Sequence, residues 1–205
     1  MTAERWLSSR GLGLDLGFMK APAAVAEGDT SQAPWLSGCT MALSALGTSG
    51  IFEALLALFR TAAPIDAYSA LQLFTDKRPR VLASDAGTLP MCPGELDSVW
   101  TDYCAGPYLF DPLHQHFLAG AASGMCRLED IAPEGFIGSE FHTKFIATHG
   151  HADELDLLVT TAQGWAFHLI LVRGPGRLRF SDAECHALQA LMPFAMELLR
   201  KHSLV

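Results

Sequence analysis

Between Gly50 and Thr61 the chain reads GIFEALLALFRT, with Ile51, Phe52, Leu55, Leu56, Leu58 and Phe59 at helical spacing. Apolar residues cover most of that circumference, so the pattern predicts a helix buried on two sides, one of them available to a dimer partner. Pro64 ends it. The segment from there to Leu82 has two apolar runs about the turn TDKRP, which predicts a β-hairpin. A helical period returns from Glu95 to Cys104, with Leu96, Trp100 and Cys104 on one stripe and Tyr103 beside it. Gly106-Pro107 breaks that helix. Asp111-Pro112, an N-cap residue followed by a favoured first-turn proline, starts another over 112–118. A short strand at 125–128 follows. Ser139 then opens a helix with Phe141 and Phe145 on one face, which Gly150 stops.

The pattern is clearest in the C-terminal third. Leu155, Leu157 and Val159 alternate with Asp156, Leu158 and Thr160, and WAFHLILV (165–172) is apolar on both faces, as in a central strand. Ser181-Asp182-Ala183-Glu184 has the form of a capping box for a long helix to about His202. The order helix, hairpin, helices, strand, helix, hairpin, helix predicts an α+β fold, an α/β/α sandwich around a central antiparallel sheet of about five strands. Residues 1–45 are rich in small residues and proline, with scattered Trp6, Phe18, Trp35 and Leu36, and are expected to form an irregular arm. Residues 46–205 form the domain proper.

Composition narrows the function. Fourteen basic against 22 acidic residues give a net charge of −8, which argues against this chain binding nucleic acid by itself. Its longest apolar run, ALSALGTSGIFEALLALF, is interrupted by Gly47, Gly50 and Glu53, so no membrane span is expected. The N-terminus lacks the pattern of a secretion signal. Five cysteines without a CxxC fit reduced thiols, and the expected location is the cytoplasm.

Candidate chemistry concentrates in DSVWTDYCAGPYLFDPLHQHF (97–117), where Trp100, Tyr103, Tyr108, Phe110 and Phe117 surround one fixed acid, Asp111. Large rings with polar tips and one carboxylate suit a pocket for a small, mostly apolar molecule. The same residues also suit a plain core in which Asp111 caps the next helix. The pairs His114/His116 and His149/His151 are weak metal candidates, because i, i+2 side chains diverge on a helix and loop histidines are commonly solvated. No GxSxG, HExxH, P-loop or GxGxxG occurs. Neither enzymatic activity, a metal nor a cofactor is expected. Thiol-based redox sensing would need an exposed thiol of low pKa.

YLFDPLHQHF, DIAPEGFIGSEFHTKFIATHGHADEL, WAFHLILVRGPGRLRFSDAE and LMPFAMELLRKH, in that order, resemble the GAF-like or autoinducer-domain-like sensor half of LuxR-type transcriptional regulators. The resemblance runs from about 50 to 205 and is strongest from Tyr103 to His202. It implies a ligand-sensing regulatory domain that dimerises, responds to a small-molecule effector, and reaches DNA only through a helix-turn-helix domain that nothing up to Val205 reads as. With it, Trp100, Tyr108 and Trp165 become expected walls of the ligand site, and Tyr103 and Asp111 its hydrogen-bonding groups. The Trp and Tyr spacing departs by one residue from that of acyl-homoserine-lactone receptors, so the ligand is not identified. The alternative is a protein-interaction or dimerisation module with a fully packed core.

Overall fold

The computed structural model describes residues 34–92 and 94–205. Five antiparallel strands, β1 (Ala67–Leu73), β2 (Arg80–Asp85), β3 (Gly124–Arg127), β4 (Asp153–Thr160) and β5 (Ala166–Arg173), form a sheet in the order β2-β1-β5-β4-β3. Helices lie on both faces. The α+β sandwich expected from the sequence is the fold observed.

Strand alternation divides the interior in two. Tyr68 and Ala70 of β1, Leu155, Leu157 and Val159 of β4, and Phe167, Leu169 and Leu171 of β5 face α2 (Ile51–Phe59) and the long α6 (Asp182–His202). The intervening residues face α3 (Glu95–Ala105), α4 (Pro112–Leu118), the short α5 (Leu128–Ile131) and the segment around Phe141 and Phe145. β5 is buried along its whole length because it is central and covered on both sides.

The irregular arm expected over 1–45 is corrected in part: Pro34–Ser44 forms a helix, α1, while residues 1–33 lie outside the described residues. α1 packs on α2 through Gly38, where an added Cβ would meet Leu58 Cδ1 at 2.9 Å. It therefore covers the side of α2 that the sequence had left for a partner. The small residues that made the segment look irregular are what permit this close approach.

A second difference lies at 139–148. The segment is helical, but from His142 to Ala147 it winds as a π-turn. The Thr148 N–H donates to the Thr143 carbonyl five residues back at 3.0 Å. The Thr148 hydroxyl donates to the same oxygen at 2.6 Å. Two donors from one threonine thus hold the wider turn.

One clasp fixes α6 to the sheet. Arg173, at the end of β5, donates to Glu184 at 2.5 Å and to the carbonyls of Leu178 and Arg179 at 3.0 and 3.2 Å. Its guanidinium lies 4.3 Å from the Phe180 ring centroid. Glu184 also accepts from the Ser181 N–H and hydroxyl, each at 2.8 Å, completing the capping box. Ser181, then Arg173, hold the Glu184 carboxyl down to about 2. Ser181→Ala is expected to lower stability by ~1 kcal/mol in urea unfolding, the usual loss for an N-cap hydroxyl.

Candidate functional site

The site grows from Asp111, which is 4% exposed. Its Oδ1 accepts the Leu113 N–H at 2.7 Å and the His114 N–H at 3.4 Å, capping α4. Its Oδ2 accepts the Tyr103 hydroxyl at 2.6 Å. Tyr103 is the fully buried residue of α3, so this bond ties α3 to α4 across a shared carboxylate. Asp111 is thus the cap of α4 that the core reading expects, and of the roughly four acceptor positions of a carboxylate three are in use.

Asp111 and Tyr103 border a cavity of about 50 Å³ between the sheet and the α3 side. Trp100 lines it too, its ring 5.2 Å from that of Tyr103 and nearly perpendicular. The indole Nε1–H of Trp100 is buried without an acceptor among the described residues. Leaving such a donor unmatched costs ~1–3 kcal/mol. Phe141 and Phe145 close the far side, while Ser69 of β1 and Glu154 of β4 reach it from the sheet. Leu89 and Met91 bound it from the loop after β2, which turns at Gly87 (φ +52), where an added Cβ would lie 1.8 Å from the Asp66 carbonyl oxygen.

Three of the five expected site residues are thus brought together. The other two are not. Tyr108, in the 3-10 turn Pro107–Phe110, sits behind Tyr103 and packs edge-on to His114 at 4.9 Å. Trp165 stands on the opposite face of the sheet against Phe167, 4.7 Å away. It shares the parity of Phe167, Leu169 and Leu171, and a strand apolar on both faces carried no sign of which set faced α3. Conversely, His149 and His151 line the cavity, with His151 Nδ1 2.9 Å from Glu154 Oε2. Their pairing along a loop had suggested solvated side chains. His116 is exposed and His114 buried, as the helical divergence required.

Beneath the cavity the sheet carries further buried polarity. His168 Nε2 and Asp156 Oδ1 are 2.7 Å apart, and His168 Nδ1, Asp156 Oδ2 and His114 Nδ1 have no partner among the described residues. Burial pushes the Asp156 carboxyl well up and the His168 imidazole down, so both tend towards their neutral forms. Burial also raises the Asp111 carboxyl, against His168, Tyr103 and Leu113, which pull it down. Burial raises the thiols of Cys39, Cys104, Cys126 and Cys185, that of Cys126 to about 12, the reverse of what redox sensing requires. Among the described residues no cluster of histidine, cysteine and acidic side chains is arranged to hold a metal.

No family model matches the sequence, and no curated protein matches it. Solved structures do. The ligand-binding domain of VqsR from Pseudomonas aeruginosa is 25% identical, with a TM-score of 0.69 over 82% of this chain and 96% of that one. CepR2 from Burkholderia cenocepacia, an N-acylhomoserine-lactone-dependent LuxR family transcription factor, is 17% identical with a TM-score of 0.57, over 80% and 90% of the two chains. The phycoerythrobilin-bound GAF domain of a cyanobacterial phytochrome is 16% identical with a TM-score of 0.51, over 83% and 96%. The resemblance to autoinducer-domain-like and GAF-like sensors is therefore borne out.

Burial, with His168 nearby, pushes the His114 imidazole down to about 4. An unfolded histidine titrates near 6.5, so between those values the unfolded chain binds the extra proton. The stability contributed by neutral His114 is complete above about pH 6.5 and is lost as pH falls towards about 4. His114→Gln cannot titrate, and its urea stability is expected to fall by ~2 kcal/mol less than wild type between about pH 7 and 4.5. Parallel pH profiles for the two proteins would contradict this.

Proposed function

We propose that this chain is the ligand-sensing domain of a LuxR-type transcriptional regulator, acting as a homodimer and binding a small apolar or amphipathic effector. The observation that carries the reading is the buried Tyr103–Asp111 pair at the wall of a cavity beside an unmatched Trp100 N–H. Packed cores match their donors, so an unmatched one beside a cavity is best explained by an acceptor that arrives from outside. In this reading Trp100 donates to a ligand carbonyl or hydroxyl and Asp111 accepts an N–H or O–H. Tyr103, whose proton is engaged by Asp111, orients the carboxylate. The similar structures are binding and regulatory domains, which favours sensing over catalysis.

The effector would act by differential affinity, since a ligand moves an equilibrium only as far as it binds two states unequally. β4 and β5 present one set of side chains to the cavity side and the alternate set to α6, so a change on one face is felt on the other. α6 is the element suited to pass it to a DNA-binding domain attached beyond this chain. Dimerisation is supported by Trp35, Leu36, Met41 and Leu43 of α1, all exposed. No helix among the described residues is long and apolar enough to cross a membrane.

Native against denaturing mass spectrometry of protein purified from its expression host tests the reading. A small organic mass per chain that is lost on denaturation is expected. Trp100→Phe keeps the ring and removes the donor, and should weaken retention of that molecule roughly three- to tenfold. Unchanged retention would remove Trp100 from the site. An apo protein to which no small molecule binds would favour the interaction module, whose packed core the small inner cavity already approaches.

A further inference from the structure

β2 lies at an edge of the sheet, paired with β1 on one side and with no strand among the described residues on the other. Its outward backbone N–H and C=O groups form a row that a further strand can pair with. The hairpin turn before it carries Lys77 and Arg78, and the strand itself opens on Arg80; all three are exposed. Every other lysine and arginine among the described residues, from Arg60 to Lys201, has an ion pair or donates to a backbone carbonyl. Lys77 rests 4.1 Å from the centroid of the Phe74 ring instead. The cations without a carboxylate are therefore gathered at one place on a chain whose net charge is −8.

Beside them runs an open groove of about 560 Å³. Arg78, Arg80 and Val81 form one wall. The other is a single stripe of α3, Asp97, Trp100 and Cys104, at the spacing that puts side chains on one helical face. The groove is thus bounded by the edge of a strand and the side of a helix, with the cations at its hairpin end. β2 has six residues, a length of ~20 Å that is enough for strand pairing.

Charge decides between occupants. A second copy of β2 would bring the same cations against these, and charge on an edge strand is a device that prevents such self-pairing. A nucleic acid duplex needs a broad basic face, which an acidic chain with one cationic cluster does not offer. An acidic extended segment meets both features of the site. Backbone pairing along β2 supplies affinity, while carboxylates opposite Lys77, Arg78 and Arg80 select the partner.

We propose that the β2 edge and the α3 groove form a docking site for an acidic, extended segment of a partner protein, which joins the five-stranded sheet as a sixth strand. The proposal rests on the sheet edge and its unmatched cations, and it holds whether or not a small molecule enters the inner cavity.

The test titrates the whole chain with rhodamine-labelled heptapeptides, read by anisotropy at about 50 mM salt. Alternating Glu and Val (EVEVEVE) should bind at least ~tenfold more tightly than alternating Lys and Val (KVKVKVK), through attraction in place of repulsion. Raising the salt to about 500 mM should weaken the acidic peptide at least ~threefold. N-methylation of alternate residues removes strand pairing and keeps the charges. In the frame that faces β2 it should cost at least ~tenfold, and in the other frame less than ~threefold. Arg78→Glu combined with Arg80→Glu should reverse the preference to the lysine peptide, and the methylation comparison needs no variant if that protein folds poorly. Equal binding of the two charge types, equal effects of the two methylation frames, or no binding of either peptide up to about 1 mM would overturn the proposal. Binding of a DNA duplex of about 20 base pairs, lost in the double variant while no peptide binds, would assign the cations to phosphate and overturn it as well.

Discussion

Asp111 is a carboxylate held out of water whose two oxygens each organise a different helix. One ends the chain's irregular course and starts α4, and the other receives the Tyr103 hydroxyl from α3. Removing an isolated carboxylate from water costs several kcal/mol, and only good hydrogen bonds make it tolerable. Here two backbone N–H groups and a phenol supply them. The cost and its offset come as a unit, so the relative placement of α3 and α4 is specified more tightly than apolar packing alone would specify it. Trp100, one turn before Tyr103 on the same helix, takes its position at the cavity from that arrangement.

The two faces of the sheet obey different rules. On the side of α2 and α6 the strands contribute mainly apolar side chains, with the buried Asp153 and Arg173 at the end of that layer, where Arg173 and Glu184 form the clasp. On the other side the same strands carry Ser69, Glu154, Asp156 and His168, all buried. A protein selected for stability alone would place apolar residues there, because buried polarity lowers stability unless it is fully matched. Two of these atoms, Asp156 Oδ2 and His168 Nδ1, are unmatched among the described residues. This asymmetry of the two faces supports the sensor reading proposed above.

Size and winding bear on the proposed sensing function. A wide preformed cavity would leave apolar rings without contacts, while a fully filled one would leave no room for an effector. Phe141 and Phe145 border the cavity, Phe141 just before and Phe145 within a π-turn held by Thr148.

Local signals were legible in the sequence because they are written in a few neighbouring residues. The helical period at 51–59, the capping box at Ser181, the Asp111-Pro112 cap and the alternation of 155–159 each depend on bonds within one element, and each appears as read. From them came the order of elements, the α+β class and the concentration of chemistry near Trp100, Tyr103 and Asp111. What needed the tertiary structure depends on where distant segments meet. Which face of β5 looks towards α3 separates Trp165 from the site and brings His168 beneath it, and a strand apolar on both faces holds no record of that choice. The partner of α2 turned out to be α1, through a contact at Gly38 that composition disguised as disorder. The size of the cavity is a sum over side chains from several separate elements. No single stretch of sequence contains that sum, since volume left empty is a property of the assembled packing alone.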